Sequence, residues 1–478
     1  MDALTLQSLS PSIAMSLGII SLMIQTAIRR NSAMALGISL GSLVIALWLS
    51  LSTWPATAVQ ATPLLVVDDY ARLFTVVLVL AAIATIIVSR VWMLSEQLEQ
   101  HEFFMLVLVA TFGAVVLAHA QHFASFLLGL EIMGVAVYAL VAYPDRNWLP
   151  IEAGLKYLVL SSASTAILLF GFALLYTATG VLGFKELGVA LKNVDSLLVG
   201  TATLMIFVAL GFKLSLVPFH MWTPDVYEGS PTPITGFLAT VSKVAIFVAL
   251  LRWYHGAQLW QQETLTEALS WLAIASMLVG NFLALRQDNL KRLLGCSSIA
   301  HMGYLLVALV VLGTLNETDL ALEASVWYLM AYTAATLAAF SALSAWQSRH
   351  GSEGNCHRED LHGMFWKEPL IAVVMTLALL SLAGVPLTAG FIAKFYIIAS
   401  GVEAGLWPLL AALVLGSAVS IFYYLRVIYA LSINTDQKAI PVTGERHLLN
   451  IVFLGLILAI FVLGIYPEPL IELVAGVL

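Results

Sequence analysis

Charge is what this chain has least of. Asp, Glu, Lys and Arg make up 10% of its 478 residues, and 61% of the side chains are hydrophobic. A soluble domain carries about 25% charged residues, so a water-soluble enzyme of this length is excluded. A basic excess is lacking as well. The 28 acids outnumber the 21 lysines and arginines, for a net charge of −7, and no basic face offers itself to nucleic acid. Cysteine stops at two, Cys296 and Cys356, far apart and without a CxxC pairing. They make neither a disulfide framework nor the ligand set of an iron–sulfur cluster. Neither a dinucleotide fingerprint nor a P-loop occurs, so the energy for any uphill work has to reach the chain from a partner.

What is present is hydrocarbon in long runs. Stretches of roughly 20 apolar residues, enough to cross the bilayer core as a helix, number about fourteen, and the fold class is an all-α polytopic membrane protein. The start, MDALTLQ, has an acid where a secretory leader would carry positive charge, so the first span is expected to be retained. Orientation follows from the cations. With the N-terminus outside, the inward loops hold Arg29, Arg30, Arg90, Arg146, Arg286, Lys291, Arg292, Arg349, Arg358, Lys367, Lys438 and Arg446, and the outward loops only Lys185, Lys192 and Arg252. Both termini are therefore expected outside, which requires an even number of spans. Trp48, Trp54, Trp253, Trp260, Trp271, Trp366 and Trp407 lie near span ends, where an interfacial belt would place them.

The spans group into an N-terminal three-helix segment (1–100), a five-helix set (101–255), a second five-helix set (256–432) and a C-terminal helix (433–478). Five is odd, so the second set enters the membrane facing the opposite way. Each set has a proline in its fourth span, Pro218 in GFKLSLVPFH and Pro386 in SLAGVPLTAGFIAKF. Paired interruptions at corresponding positions point to inverted repeats, each with a broken helix. The longest polar stretch, HGSEGNCHREDLHG at 350–363, contains His350, Cys356, His357 and His362, but their spacing matches no familiar zinc pattern. It reads as a solvated inward loop, and no metal is expected.

Four ionisable residues fall deep inside spans: Glu131, Lys213, Lys243 and Lys394. Facing lipid, together they would cost roughly 10 kcal/mol, as much as the whole stability of a typical fold. They must face protein, water or each other. Burial brings the charged and neutral forms of such groups closer in free energy, and a lysine with a movable counter-charge can hold and release a proton. Lys156 lies nearer a span end, where lysines also snorkel. His220 would share a face with Lys213 if the helix continued, and His301 adds a group that titrates near pH 6.5. Either histidine is a path residue or a hydrogen-bonded core residue. Pro218 and Pro386 cannot donate to the carbonyls of Leu214 and Leu382, and carbonyls freed at membrane depth must be satisfied by protein or water. Asp225 and Glu228 are expected in a loop or reentrant cap.

The stretch GFKLSLVPFHMWTPDVYEGSPTPITGFLATVSKVAIF resembles the antiporter-like subunits of respiratory complex I, the proton-pumping NADH:quinone oxidoreductase. The likeness extends through LKRLLGCSSIAHMGYLLVAL and SLAGVPLTAGFIAKFYI and, by span plan, across nearly the whole chain. The wording VPFHMWTPDVYEGSP is nearer the N-type than the L- and M-type members. The resemblance implies that Glu131, Lys213, Lys243 and Lys394 are the proton-path residues, with Lys156, His220 and His301 on the same hydrophilic axis. It also implies a bacterial inner-membrane location, and partners among M-type and small K-, J- and A-type membrane subunits and lipid. FMN, iron–sulfur clusters and quinone would belong to partner subunits, and this chain would hold no cofactor. Two readings compete with it: a multisubunit cation/proton antiporter, and a scaffold that couples its neighbours electrostatically without conducting.

Overall fold

A computed structural model describes residues 3–54, 58–143, 148–192, 194, 197–315, 319–350, 356–434 and 446–468. Arg146 and Lys438 of the inward set lie outside these residues, as do the side chains of His350 and Arg446. The first helices are α1 (Ala3–Ser8), α2 (Ser10–Ile28), α3 (Ser32–Ser52) and α4 (Asp69–Ser95). Between α3 and α4 the strands β1 (Val59–Thr62) and β2 (Leu65–Val67) form an antiparallel hairpin, a small departure from the all-helical expectation.

The first five-helix set comprises α5 (His101–Ala118), α6 (Phe123–Val141), α7 (Trp148–Thr179), the short surface helix α8 (Phe184–Leu191), α9 (Leu197–Leu214), α10 (Trp222–Gly229) and a span begun by α11 (Thr232–Phe237) and finished by α12 (Lys243–Gly256). The second comprises α13 (Glu263–Leu285), α14 (Leu290–Leu315), α15 (Asp319–His350), α16 (Met364–Lys367), α17 (Pro369–Ala383), α18 (Ala389–Glu403) and α19 (Trp407–Ser432), and α20 (Arg446–Ile465) closes the chain. Among the described residues, thirteen helices are long and apolar enough to cross a membrane. The pair α17 and α18, each 15 residues, completes the expected fourteen as one broken span.

The two sets pack by one scheme. In the first, α5 packs on α6 and α12, and α7 on α9 and α10; in the second, α13 packs on α14 and α19, and α15 on α17 and α18. Contacts of α10 with α14 and of α11 with α15 join the sets, and the span Thr232–Gly256 at this junction is buried along all but its last turn. Directly before Lys243 that span carries a π-helical segment, Leu238–Ser242, the kind of local insertion often found at functional sites.

Both breaks occur where the sequence places proline, but proline is not what ends the first halves. In α17 the end is Gly384, whose φ of +84° favours a residue without a Cβ, and Gly384 and Val385 both donate to the Leu380 carbonyl. Pro386 follows and prevents continuation. In α9 the turn is made by Ser215 at φ +65°, stabilised by Leu216 N–H donating to Gly211 at 2.7 Å, and the Val217–Pro218 peptide bond beyond it is cis.

Three expectations are corrected. Trp253 and Trp260 are buried rather than interfacial, because Trp253 packs among Phe123 and Phe207, whereas Trp48, Trp271, Trp366 and Trp407 are about two-thirds exposed. The described part of the 350–363 stretch is only partly a solvated loop: His357, Glu359 and Asp360 are exposed, but Arg358–Leu361 forms a short 3-10 helix. Cys356 and Leu361 are buried, and the Cys356 carbonyl accepts from Leu290 at the start of α14. Asp225 and Glu228 are on a helix, α10, which resumes after the break.

Candidate functional site

The three lysines are buried as their cost demands, Glu131 is half-buried, and polar protein groups meet each of them. Glu131 is on α6, Lys213 in the last turn of α9, Lys243 at the start of α12 and Lys394 on α18. Lys213, Lys243 and Lys394 are 4%, 0% and 6% exposed.

In the first set, α7 stands between the acid and the base. Thr165 Oγ1 donates to Glu131 Oε1 at 2.9 Å, and Lys213 Nζ donates to Ser161 Oγ at 2.5 Å. Ser161 and Thr165 are four residues apart and so share a helix face. Glu131 and Lys213 therefore make no direct ion pair in this conformation; hydroxyls one turn apart hold them on a common surface. The Tyr138 hydroxyl shares Ser161 at 2.6 Å, and Tyr138 packs edge-on to Tyr157 with ring centroids 5.1 Å apart.

At the junction of the sets, Lys243 Nζ donates to Ser298 Oγ on α14 at 2.8 Å and lies 5.6 Å from the Tyr227 ring centroid. Ser298 is shared with the Tyr332 hydroxyl at 2.6 Å. One turn along α14, His301 Nδ1 meets the Tyr328 hydroxyl at 2.6 Å, and His301 Nε2 faces Tyr424 at 3.5 Å. Lys394 Nζ donates to the carbonyls of Leu382 and Ala383 at 3.1 and 2.9 Å and to Ser417 Oγ at 2.7 Å. A cavity of about 10 Å³, lined by His301, Tyr328, Tyr332, Ser381 and Lys394 among others, lies between the histidine and the lysine. That is about the space of one water molecule. Lys243, His301 and Lys394 are thus brought into one polar cluster, and hydroxyls occupy the gaps.

The freed backbone at each break is met by side chains. Trp222 Nε1 donates to the Phe212 carbonyl at 2.9 Å, Ser276 Oγ accepts from Val217 N–H at 3.0 Å, and Ser215 Oγ accepts from Thr223 at 2.6 Å. Protein groups support the first break. His220 lies inside it, buried, with Nδ1 lacking a hydrogen-bond partner. It is not on the face of Lys213, because α9 ends six residues earlier.

Lys156 belongs to a separate, more exposed cluster. It pairs with Glu152 at 2.8 Å and with Asp225 at 3.1 Å, and Asp225 is shared with Arg292, which also holds Glu228 at 2.6 Å. Arg292 and Lys291, expected in an inward loop, are in the first turn of α14, and Lys291 is buried.

Sequence reasoning missed Ser161, Thr165, Tyr138, Ser298, Tyr328, Tyr332 and Ser417, because a single hydroxyl in an apolar run carries no signal of what it faces. Among the described residues, no three His, Cys, Asp or Glu side chains converge as a metal site.

Residues 120–420 match the family model for the transmembrane part of NADH:quinone oxidoreductase and Mrp antiporters. Over 475 residues the chain is 42% identical to NADH-quinone oxidoreductase subunit N of Ectopseudomonas mendocina (strain ymp), covering 98% of this chain and 95% of that one. A chain of respiratory complex I from Thermus thermophilus with bound aureothin superposes with a TM-score of 0.83 at 33% identity, over 98% of this chain and all of that one. A chain of the Mrp complex from Dietzia sp. DQ12-45-1b gives 0.86 at 20% identity, over 99% and 97%. At that identity the likeness extends to the fold.

Proposed function

The chain belongs to the subunit N family of NADH-quinone oxidoreductase, within the wider NADH:quinone oxidoreductase/Mrp antiporter group, and from that membership we propose how it works. It is a polytopic membrane-arm subunit of the complex, and it moves protons across the membrane while other subunits oxidise NADH and reduce quinone. Each proton driven against the potential requires about 2.3 kcal/mol per 100 mV. FMN, iron–sulfur clusters and the quinone site are placed in partner subunits. The immediate neighbours are an M-type antiporter-like subunit and small K-, J- and A-type subunits. The membrane is the bacterial inner membrane, with both termini outside.

One observation carries the proton path. Three buried lysines, in corresponding or adjacent parts of two similarly packed helix sets, are each hydrogen-bonded to hydroxyls or carbonyls, with no carboxylate within 4.0 Å among the described residues. Such a lysine can give up its proton without leaving a buried anion unpaired. Glu131 modulates Lys213 through α7, Lys243 and His301 connect the sets, and Lys394 is the far station. Pro218 and Pro386 keep the two breaks open, and Lys156 and His220 flank the first. The 101–255 and 256–432 sets act as inverted repeats of one device.

Lys213→Ala in the assembled complex is expected to lower quinone reductase activity and proton pumping together, measured in proteoliposomes. Normal pumping per NADH with Lys213 and Lys243 both replaced would place the path elsewhere. Purification of the chain without flavin and iron–sulfur partners would count against the complex itself.

A further inference from the structure

Lys291 is 3% exposed, and no role above uses it. Its location runs against local preference. A cation in the first turn of α14 faces the positive end of that helix's own dipole, where it is disfavoured. The side chain leaves α14 instead, and Nζ donates at 2.7 Å to the Ser230 carbonyl. Ser230 caps the C-terminus of α10, the negative end of a helix, where a cation is favourable.

Two neighbours on the same turn also hold α10. Asn289 Nδ2 donates to Glu228 at 3.2 Å, and Arg292 binds Asp225 and Glu228. These two hold its flank, and Lys291 holds its end. Ser230 in turn bonds the Thr235 hydroxyl at 2.6 Å, and Thr235 reaches the Tyr227 carbonyl at 3.2 Å. Tyr227 is the ring beside Lys243. On its other side, the start of α14 is fixed by Leu290 N–H donating to Cys356 and Arg358 N–H donating to Asp288.

We infer that Lys291 is a positioning residue for proton transfer: by capping α10 it seats Tyr227 against Lys243, joining the resumed half of the first broken span to the helix that carries Ser298 and His301. This rests on the reading of Lys243 as a proton carrier. The Lys291 ammonium does not touch the Lys243 amine; it acts through the α10 end and Tyr227.

The test uses the whole complex in proteoliposomes, reading NADH-driven quinone reduction and pumping. Lys291→Met is expected to lower both roughly five-fold, Tyr227→Leu to do the same, and the double variant to lose no more than either. Lys291→Arg keeps a cationic donor for the Ser230 carbonyl and is expected to recover most of the loss. If Lys291→Met does not assemble, Lys291→Gln takes its place in the cycle. Additive losses, no recovery in an assembled Lys291→Arg complex, or normal turnover in Tyr227→Leu would each overturn the inference. Lys243→Ala separates the two readings: if it abolishes pumping while Lys291→Met pumps normally, only the positioning role fails.

Discussion

Lys394 and Leu382 meet across the second break. The ammonium on α18 donates to the Leu382 and Ala383 carbonyls at the end of α17, and its third hydrogen goes to Ser417. An ammonium has three donors, and here all three are used. Losing a proton leaves two donors and a lone pair, so either the Ser417 hydroxyl turns to donate to the amine or one carbonyl of the break is released. Protonation of Lys394 and the geometry of its broken span are therefore linked in a single group.

Lys394→Ala should separate these two roles from Lys394→Arg. Alanine leaves two buried carbonyls without their donor, at about 1–3 kcal/mol each, and is expected to lower both the thermal stability of the purified chain and pumping. Arginine can cap the carbonyls but stays charged, so it should restore stability without restoring pumping. Pumping by the arginine variant would show that Lys394 acts as a cap alone.

Glu131, Lys213, Lys243 and Lys394 are legible in the sequence because a charge in hydrocarbon is too costly to be incidental, and the two breaks are legible through Pro218 and Pro386. Ser161, Thr165 and Ser298 are not, since a hydroxyl in a transmembrane helix can always satisfy itself on its own backbone. Only the placement of α7 between α6 and α9 gives Ser161 and Thr165 their meaning. Lys291 was misread for a related reason. Beside Arg292 at a span end it looks like a loop cation, and a shift of one helical turn in the boundary turns it into a buried residue. The π-helical segment before Lys243 has no compositional mark at all.

Glu131→Gln tests whether charge or hydrogen bonding matters in the first set. The glutamine carbonyl can still accept from Thr165, so the contact with α7 survives and assembly should be intact. The negative charge facing the Lys213 region is gone, and a several-fold fall in protons pumped per NADH is expected. Unchanged turnover and unchanged pumping would count against a counter-charge role.

Gly390 sits where the halves of the second break pack closely. A Cβ there would lie 1.8 Å from the Ser381 carbonyl oxygen, and Gly390 N–H donates to Ser381 Oγ at 3.1 Å. Gly390→Ala forces backbone apart, a change that costs about 1–3 kcal/mol or more in a packed interior. It should sharply lower the melting temperature in detergent. Gly200→Ala, with nothing within 4 Å of the new methyl, is the control and should leave it unchanged.

At the opposite end of α12 from Lys243, Arg252 binds Asp68 through two bonds of 2.6 and 2.8 Å, while Asp68 also caps α4 by accepting from Ala71. Burial alone would raise the Asp68 carboxyl, but the Arg252 charge and these hydrogen bonds outweigh it and hold it below the usual value. A depressed carboxylate contributes stability that is fully present above its unfolded value near 3.9 and is lost as pH falls through the lower folded value. Asp68→Asn should therefore be less stable than the parent at neutral pH by about 1–3 kcal/mol, and the gap should narrow only as pH drops below about 4. Nearby His119, pushed down to about 4 chiefly by burial, adds a loss that begins near pH 6.5 as the unfolded chain takes up its proton. That loss is common to both proteins and largely cancels from the difference. Melting curves followed by circular dichroism between pH 3 and 7 would check this, and a constant gap down to pH 3 would show that the Asp68–Arg252 pair does not set the acid limb.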